Sequence, residues 1–184
     1  MRIFSIGAAL AATTSMQAFV AADEQVAQTT STDTNWEPSV LDIVSFNELV
    51  VDMSEEQGRF VGDKSWFIKF YAPWCGHCKT LAPTWSEFNR LHMEELNVGT
   101  VDCTSEGGQP LCSKLEVRGY PSLLYFPKET KAAGERVQGY KFQGARTMEG
   151  LEAFSINEGW KRIGEEGMIP VNLKGIESWG RWLA

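Results

Sequence analysis

Apolar and polar residues alternate along this chain in several distinct rhythms. Residues 66–71, Trp66-Phe67-Ile68-Lys69-Phe70-Tyr71, form a nearly continuous apolar run broken only by Lys69, the pattern of a central strand covered on both faces. Ala72-Pro73-Trp74 stops that run. Directly after it, Cys78, Leu81, Ala82, Trp85, Phe88 and Leu91 recur at helical spacing, which predicts an amphipathic helix kinked at Pro83. Further β-prone runs cover residues 38–44, 97–103, 122–126 and 136–142. Shorter helices are predicted from Ser45, taken as N-cap ahead of Glu48, to Met53, and over residues 109–116 and 147–157. Residues 54–64 read as a loop and 117–121 as a turn. The order is β-α-β-α-β-α-β-β-α, which fits an α/β layer fold with helices on both faces of one mixed sheet.

The ends of the chain follow other rules. Residues 3–12 are apolar or small except Ser5, Arg2 precedes them, and Val20-Ala21-Ala22 offers small residues before Asp23. Residues 1–22 are therefore expected to be a secretory signal peptide cleaved after Ala22, with Ala18 as the alternative. An uncleaved anchor is a second reading, but Thr13, Thr14, Ser15 and Gln17 interrupt the run before it reaches a spanning length. No later segment approaches that length, so no membrane span is expected in the mature chain. Residues 23–35 have almost nothing to bury and read as a flexible linker. The folded domain is expected over residues 36–157, followed by a tail, residues 158–184. Trp160, Ile163, Met168, Ile169, Trp179 and Trp182 make the tail too apolar for a solvated linker; it either packs on the domain or forms a partner surface.

Composition narrows the classes of function. The 184 residues carry a net charge of −7, which argues against a nucleic-acid partner, since such proteins present a basic face. With 43% hydrophobic residues the chain can build a core without staples. Its four cysteines are too few for a disulfide scaffold and point instead to chemistry.

Cys75 and Cys78 lie at the junction of the predicted central strand and the helix after it. Unsatisfied N–H groups and the helix dipole stabilise a thiolate there. Two sulfurs three residues apart in a first turn can close a disulfide, so Cys75, at the helix start, is expected to attack and Cys78, one turn in, to resolve. Gly76 and His77 between them tune the potential: a protonated His77 stabilises the Cys75 thiolate and makes the disulfide more oxidising. The competing reading is half of a zinc site. With His77 and His92 the only histidines, it would draw on Cys103 and Cys112, which have eight residues between them. No flavin, nicotinamide or metal motif is present, so the Cys75–Cys78 disulfide itself is expected to carry the electrons.

Phe70-Tyr71-Ala72-Pro73-Trp74-Cys75-Gly76-His77-Cys78-Lys79, with Leu81-Ala82-Pro83 after it, resembles the active-site segment of the protein disulfide isomerase family. Phe67-Ile68-Lys69-Phe70 and Thr84-Trp85 are most similar to the endothelial-type members. The likeness continues through Val101-Asp102-Cys103, Cys112, Val117-Arg118-Gly119-Tyr120-Pro121 and Leu123-Leu124-Tyr125-Phe126, and covers roughly residues 38–157. It implies a thioredoxin fold. It also implies that Pro121 is a cis-proline facing the sulfurs, that Arg118 approaches Cys78 and eases its deprotonation, and that Tyr120 helps form a substrate-facing rim. Relatives carry a buried acid six residues before the first cysteine, where this chain has Lys69. Lys69 is either a desolvated lysine acting near Cys78 or a long stem whose ammonium reaches water.

In an oxidising lumen Cys103 and Cys112 are expected to form a structural disulfide, a buried free pair being the alternative; closing so short a loop contributes about 2–3 kcal/mol in the chain-entropy model. The resulting expectation is an endoplasmic-reticulum thiol–disulfide oxidoreductase acting on cysteine-containing client proteins, with secretion open because no KDEL-type signal ends the chain. Clients would meet the rim of Trp74, Tyr120 and Pro121, and glutathione or a protein oxidase would recharge the Cys75–Cys78 pair. Two other readings stand beside it: a client-binding chaperone or assembly module whose redox activity is secondary, and a cytosolic thioredoxin-like reductant.

Overall fold

A computed structural model describes residues 36–54, 58–128, 137–163 and 168–170, the last three through their backbone. The expected signal peptide and linker, residues 1–35, lie outside the described residues. The chain enters through β1 (Ser39–Val40), turns into α1 (Ile43–Leu49) and passes through a small antiparallel ladder, β2 (Val51–Asp52) against β3 (Arg59–Phe60). Strands and helices then alternate: β4 (Trp66–Tyr71), α2 (Gly76–His92), β5 (Asn97–Asp102), α3 (Gly108–Lys114) and β6 (Ser122–Phe126). β7 (Gln138–Lys141), α4 (Met148–Ser155), a 3-10 turn (Gly159–Arg162) and β8 (Met168–Pro170) follow. The main sheet runs β1-β5-β4-β6-β7-β8, parallel across its first three strands and antiparallel from β4 outward.

β4 shows why the sheet is covered on both faces. Its residues alternate at period two, so Trp66, Ile68 and Phe70 join the core under α1 and α3 with Phe46, Leu111 and Phe126. Phe67 points the other way, into the core under α2 and α4 with Trp85, Phe88, Leu151 and Phe154. The Phe67 ring is the hub of that second core, with the Trp85 and Phe154 rings 5.0 and 5.8 Å away. Leu91 departs from the predicted stripe and is largely exposed, whereas α2 continues unbroken through Pro83.

The first helix begins earlier than its serine signal indicates. Asp42, not Ser45, is the N-cap: Asp42 Oδ1 accepts the Ser45 N–H at 2.8 Å and Ser45 Oγ accepts the Asp42 N–H at 2.8 Å. A serine thus occupies the third position of a reciprocal capping box, where Glu or Gln is usual. The helix ends at Leu49 because Val50 and Val51 turn into the core, and β3 forms inside the stretch read as loop. Gly58, at φ 67°, takes the left-handed conformation leading into β3.

Two further features extend the domain beyond its pattern. Cys103 and Cys112 are joined by a disulfide with Cα atoms 5.7 Å apart, tying the end of β5 to α3. The folded part also continues past residue 157. Trp160 is buried, its ring 4.9 Å from Tyr140 and 5.6 Å from Tyr125, and β8 adds to β7. The first part of the tail therefore packs on the domain, while Trp179 and Trp182 lie outside the described residues.

α2 and α4 are clamped by His92, whose Nδ1 meets Glu95 at 3.1 Å and whose Nε2 meets Glu152 at 3.0 Å. Burial works against the imidazolium, but the bonds to Glu95 and Glu152 outweigh it and raise the His92 pKa above its ordinary value. A raised folded-state pKa adds stability that is full below the unfolded value, about 6.5, and is lost as pH rises through the folded one. Denaturation midpoints measured at roughly pH 5.5 and pH 8.5 should therefore fall more with pH for the parent than for His92→Gln. Equal slopes would show that the clamp carries no titrating stability.

Candidate active site

The buried strand β4 ends at Tyr71, and a tight turn through Ala72-Pro73-Trp74 delivers Cys75 to the start of α2, with the Cys75 N–H donating to Ala72 O at 3.0 Å. Cys75 is the helix N-cap, and its Sγ accepts the Cys78 N–H at 3.3 Å. Both sulfurs are reduced in this structure; Cys75 is 7% exposed and Cys78 3%.

Their acidities diverge. The Cys78 thiol hydrogen-bonds to the Cys75 sulfur and, with the N–H groups of Cys78 and His77 and the charge of Arg146, holds Cys75 below the ordinary thiol value despite some burial. Burial and that same donated hydrogen bond push Cys78 up to about 11. Thiolate character is therefore concentrated on the more exposed sulfur, at the place where a helix end best tolerates negative charge. The other sulfur stays protonated beneath it. Such an arrangement can attack a disulfide with one sulfur and resolve the product with the other.

Around the pair stand groups from distant parts of the chain. The Tyr120–Pro121 peptide is cis and Pro121 is buried. Tyr120 packs on the cluster of Ala72, Cys75 and Cys78. Trp74 is 71% exposed, and its ring meets the edge of Tyr120 at 6.0 Å, so the two form a rim beside the sulfurs. Gly76 and His77 are exposed in the first turn of α2.

Arg118 is not where the resemblance puts it. Its side chain is 85% exposed and pairs with Glu116 Oε2 at 3.3 Å, because Glu116 takes a left-handed conformation, φ 53°, and the turn directs Arg118 to solvent. Among the described residues, Lys69 favours the charged form of Cys78 and Arg146 that of Cys75. Arg146, which sequence reasoning missed, donates from Nη2 to the Pro121 carbonyl at 3.1 Å. One signal could have found it: Arg146 immediately precedes Thr147, the N-cap of α4, where the helix dipole disfavours a cation.

Lys69 lies in register with Thr100 on β5 and Leu123 on β6 and is only 6% exposed. Its Nζ stands over the Tyr71 ring at 5.5 Å and the Trp85 ring at 5.9 Å. Burial lowers its pKa, and a negative Cys78 opposes that shift. The zinc reading fails on the sulfurs themselves, since the Cys103–Cys112 disulfide leaves neither a thiolate to offer.

A reactive dithiol at the first turn of a helix, set against a cis-proline loop on a mixed sheet, defines a thiol-based redox domain. The thioredoxin family model matches residues 41–156, and the chain belongs to the thioredoxin family. It is 39% identical over 123 residues to a probable protein disulfide-isomerase A6 of Medicago sativa, covering 65% of this chain and 32% of that protein. It is 40% identical over 97 residues to the protein disulfide-isomerase-like protein EhSep2 of Emiliania huxleyi, covering 52% of this chain and 40% of that one. Among solved structures, the J-Trx1 fragment of ERdj5 superposes with a TM-score of 0.51 at 32% identity, over 65% of this chain and 49% of the fragment. The chain spans less than half the length of each of these. No described helix is long and apolar enough to cross a membrane.

The pKa split generates a direct test. Iodoacetamide trapping across pH should modify Cys75 at lower pH than Cys78, and Arg146→Gln should move the Cys75 curve toward higher pH. Coincident curves for the two cysteines would contradict the geometry.

Proposed function

We propose that this chain is a thiol–disulfide oxidoreductase that forms, reduces or rearranges disulfides in secretory-pathway client proteins. The observation that carries this reading is the placement of Cys75 and Cys78 in the first turn of α2, where Cys75 Sγ accepts the Cys78 N–H at 3.3 Å beside the cis Tyr120–Pro121 peptide. In reduction, the Cys75 thiolate attacks a client disulfide and expels one client sulfur as thiolate. Cys78 then loses its proton, bonds Cys75 Sγ and expels the second client sulfur, leaving an oxidised pair and a reduced client. Oxidation runs the same steps in reverse, and glutathione or a protein oxidase restores the starting state.

Trp74, Tyr120 and Pro121 form the client-facing rim, and His77 and Gly76 set the potential. Cys103 and Cys112 stay out of the exchange as a structural disulfide. The names of the relatives, together with the signal-like residues 1–22, favour the endoplasmic-reticulum lumen. The segment Phe67-Ile68-Lys69-Phe70 favours an endothelial-type member over other disulfide isomerases. A second reading, a client-binding module with incidental redox activity, is favoured by the exposure of Trp74 beside Tyr120.

A Cys75→Ser, Cys78→Ser double variant separates the two readings. Oxidoreductase function predicts complete loss of insulin reduction and of reduced-ribonuclease refolding, whereas retained activity in cells would favour the binding module. His77→Pro should make the couple more reducing, with about 30 mV for each tenfold change in the exchange equilibrium. A titration against glutathione showing no shift, or a shift to a more oxidising potential, would remove His77 from this role.

A further inference from the structure

Beside Cys78 opens a groove of about 320 Å³ whose wall includes Glu37, Lys69, Tyr71, Cys78, Lys79 and Thr100. Lys69 is the unusual member. It is more than nine-tenths buried, yet no hydrogen bond or ion pair joins it to any described residue. At the same time, no fully buried side-chain nitrogen or oxygen among the described residues lacks a hydrogen-bond partner. The Lys69 ammonium must therefore meet the groove itself. Glu37, the one carboxylate among the lining residues, accepts a hydrogen bond from Ser86 Oγ at 3.3 Å and does not pair with Lys69. Among the described residues, the groove thus presents a largely buried cation whose only partners are the Tyr71 and Trp85 rings, with Lys79 as a second positive charge.

We propose that this groove binds a small carboxylate through Lys69, and that its occupancy slows the resolving step at Cys78. Lys69 and Lys79 bring two positive charges to the groove and Glu37 one negative, so a monoanion completes the balance where a dianion would exceed it. Pro38, Val40, Pro73 and Ala82 supply an apolar wall suited to a short aliphatic tail. In resolution Cys78 gives its proton to water, its sulfur bonds Cys75 Sγ, and the client sulfur leaves with the electron pair of the broken bond. Lys69 stabilises the Cys78 thiolate through this step. A carboxylate paired with Lys69 withdraws that positive charge, so the mixed disulfide on Cys75 persists longer.

This inference rests on the dithiol reading above, and the experiment keeps the two apart. The full chain is titrated with acetate at constant ionic strength, balanced by a bulky sulfonate. Lysine side-chain NMR reports binding, and stopped-flow release of a cysteine peptide from Cys75 reports resolution. The expected result is a saturable shift of the Lys69 resonance and, on the same curve, a resolution rate slowed by about tenfold, the effect of one pKa unit on Cys78. Lys69→Met should abolish the acetate dependence and Lys69→Arg should keep it.

Two peptides distinguish the source of the carboxylate, one ending in a free carboxylate and one in an amide. Acetate slowing both equally assigns the groove to free carboxylates. Slower release of the carboxylate peptide without acetate assigns it to the client's own terminus. Absence of a saturable shift, or equal slowing in Lys69→Met, overturns the proposal. A chain with no exchange activity at all would overturn the proposed function, while the resonance titration would still decide whether the groove binds.

Discussion

The reactive end of this domain depends on one hydrogen-bonding problem. Helix α2 starts directly after a buried strand, and its first N–H groups have no carbonyl within the helix to receive them. In most helices an oxygen answers; here it is the sulfur of Cys75. A sulfur in that position accepts best when it is negative, so capping the helix and activating the nucleophile are one interaction. Moving the strand end or the helix start by one residue would undo both. The rest of the fold fixes that junction, β4 being central in the sheet and α2 buried along Leu81, Trp85 and Phe88.

The layer architecture was legible because period two and period 3.6 leave different marks, and β4 and α2 carry them plainly. The positions of Cys75 and Cys78 were legible too, because an apolar strand run followed by a helical stripe marks the junction at which they lie. Short elements were less so. Asp42 and Ser45 are both capping residues, and nothing in the sequence ranks one above the other until the backbone does. β3 has two residues set between Gly58 and Val61-Gly62, too few to show alternation. Arg146 and Arg118 illustrate a different limit. Which of two arginines reaches a site depends on where two turns point, and turns carry no hydrophobic period.

Charge placement separates this site from the pattern its resemblance supplies. With a lysine where relatives carry an acid, the interior beneath Cys78 has the opposite sign. The same residue that costs desolvation in the resting state is compensated when Cys78 ionises, so the site is electrostatically closer to balanced partway through the reaction than at rest. Arg146 extends the arrangement to Cys75 while donating to the Pro121 carbonyl, so one side chain links the cis-proline loop to the charge on Cys75.

The outermost described strands bear on a hazard shared by every sheet with open margins. β1 pairs through two residues, and β8 through three, of which Pro170 has no N–H to offer. An extended polypeptide seeking a sheet to join meets only a two-residue strand at one described margin and a strand ending in proline at the other. Long, bare margins would instead offer a template on which another chain could add as a further strand.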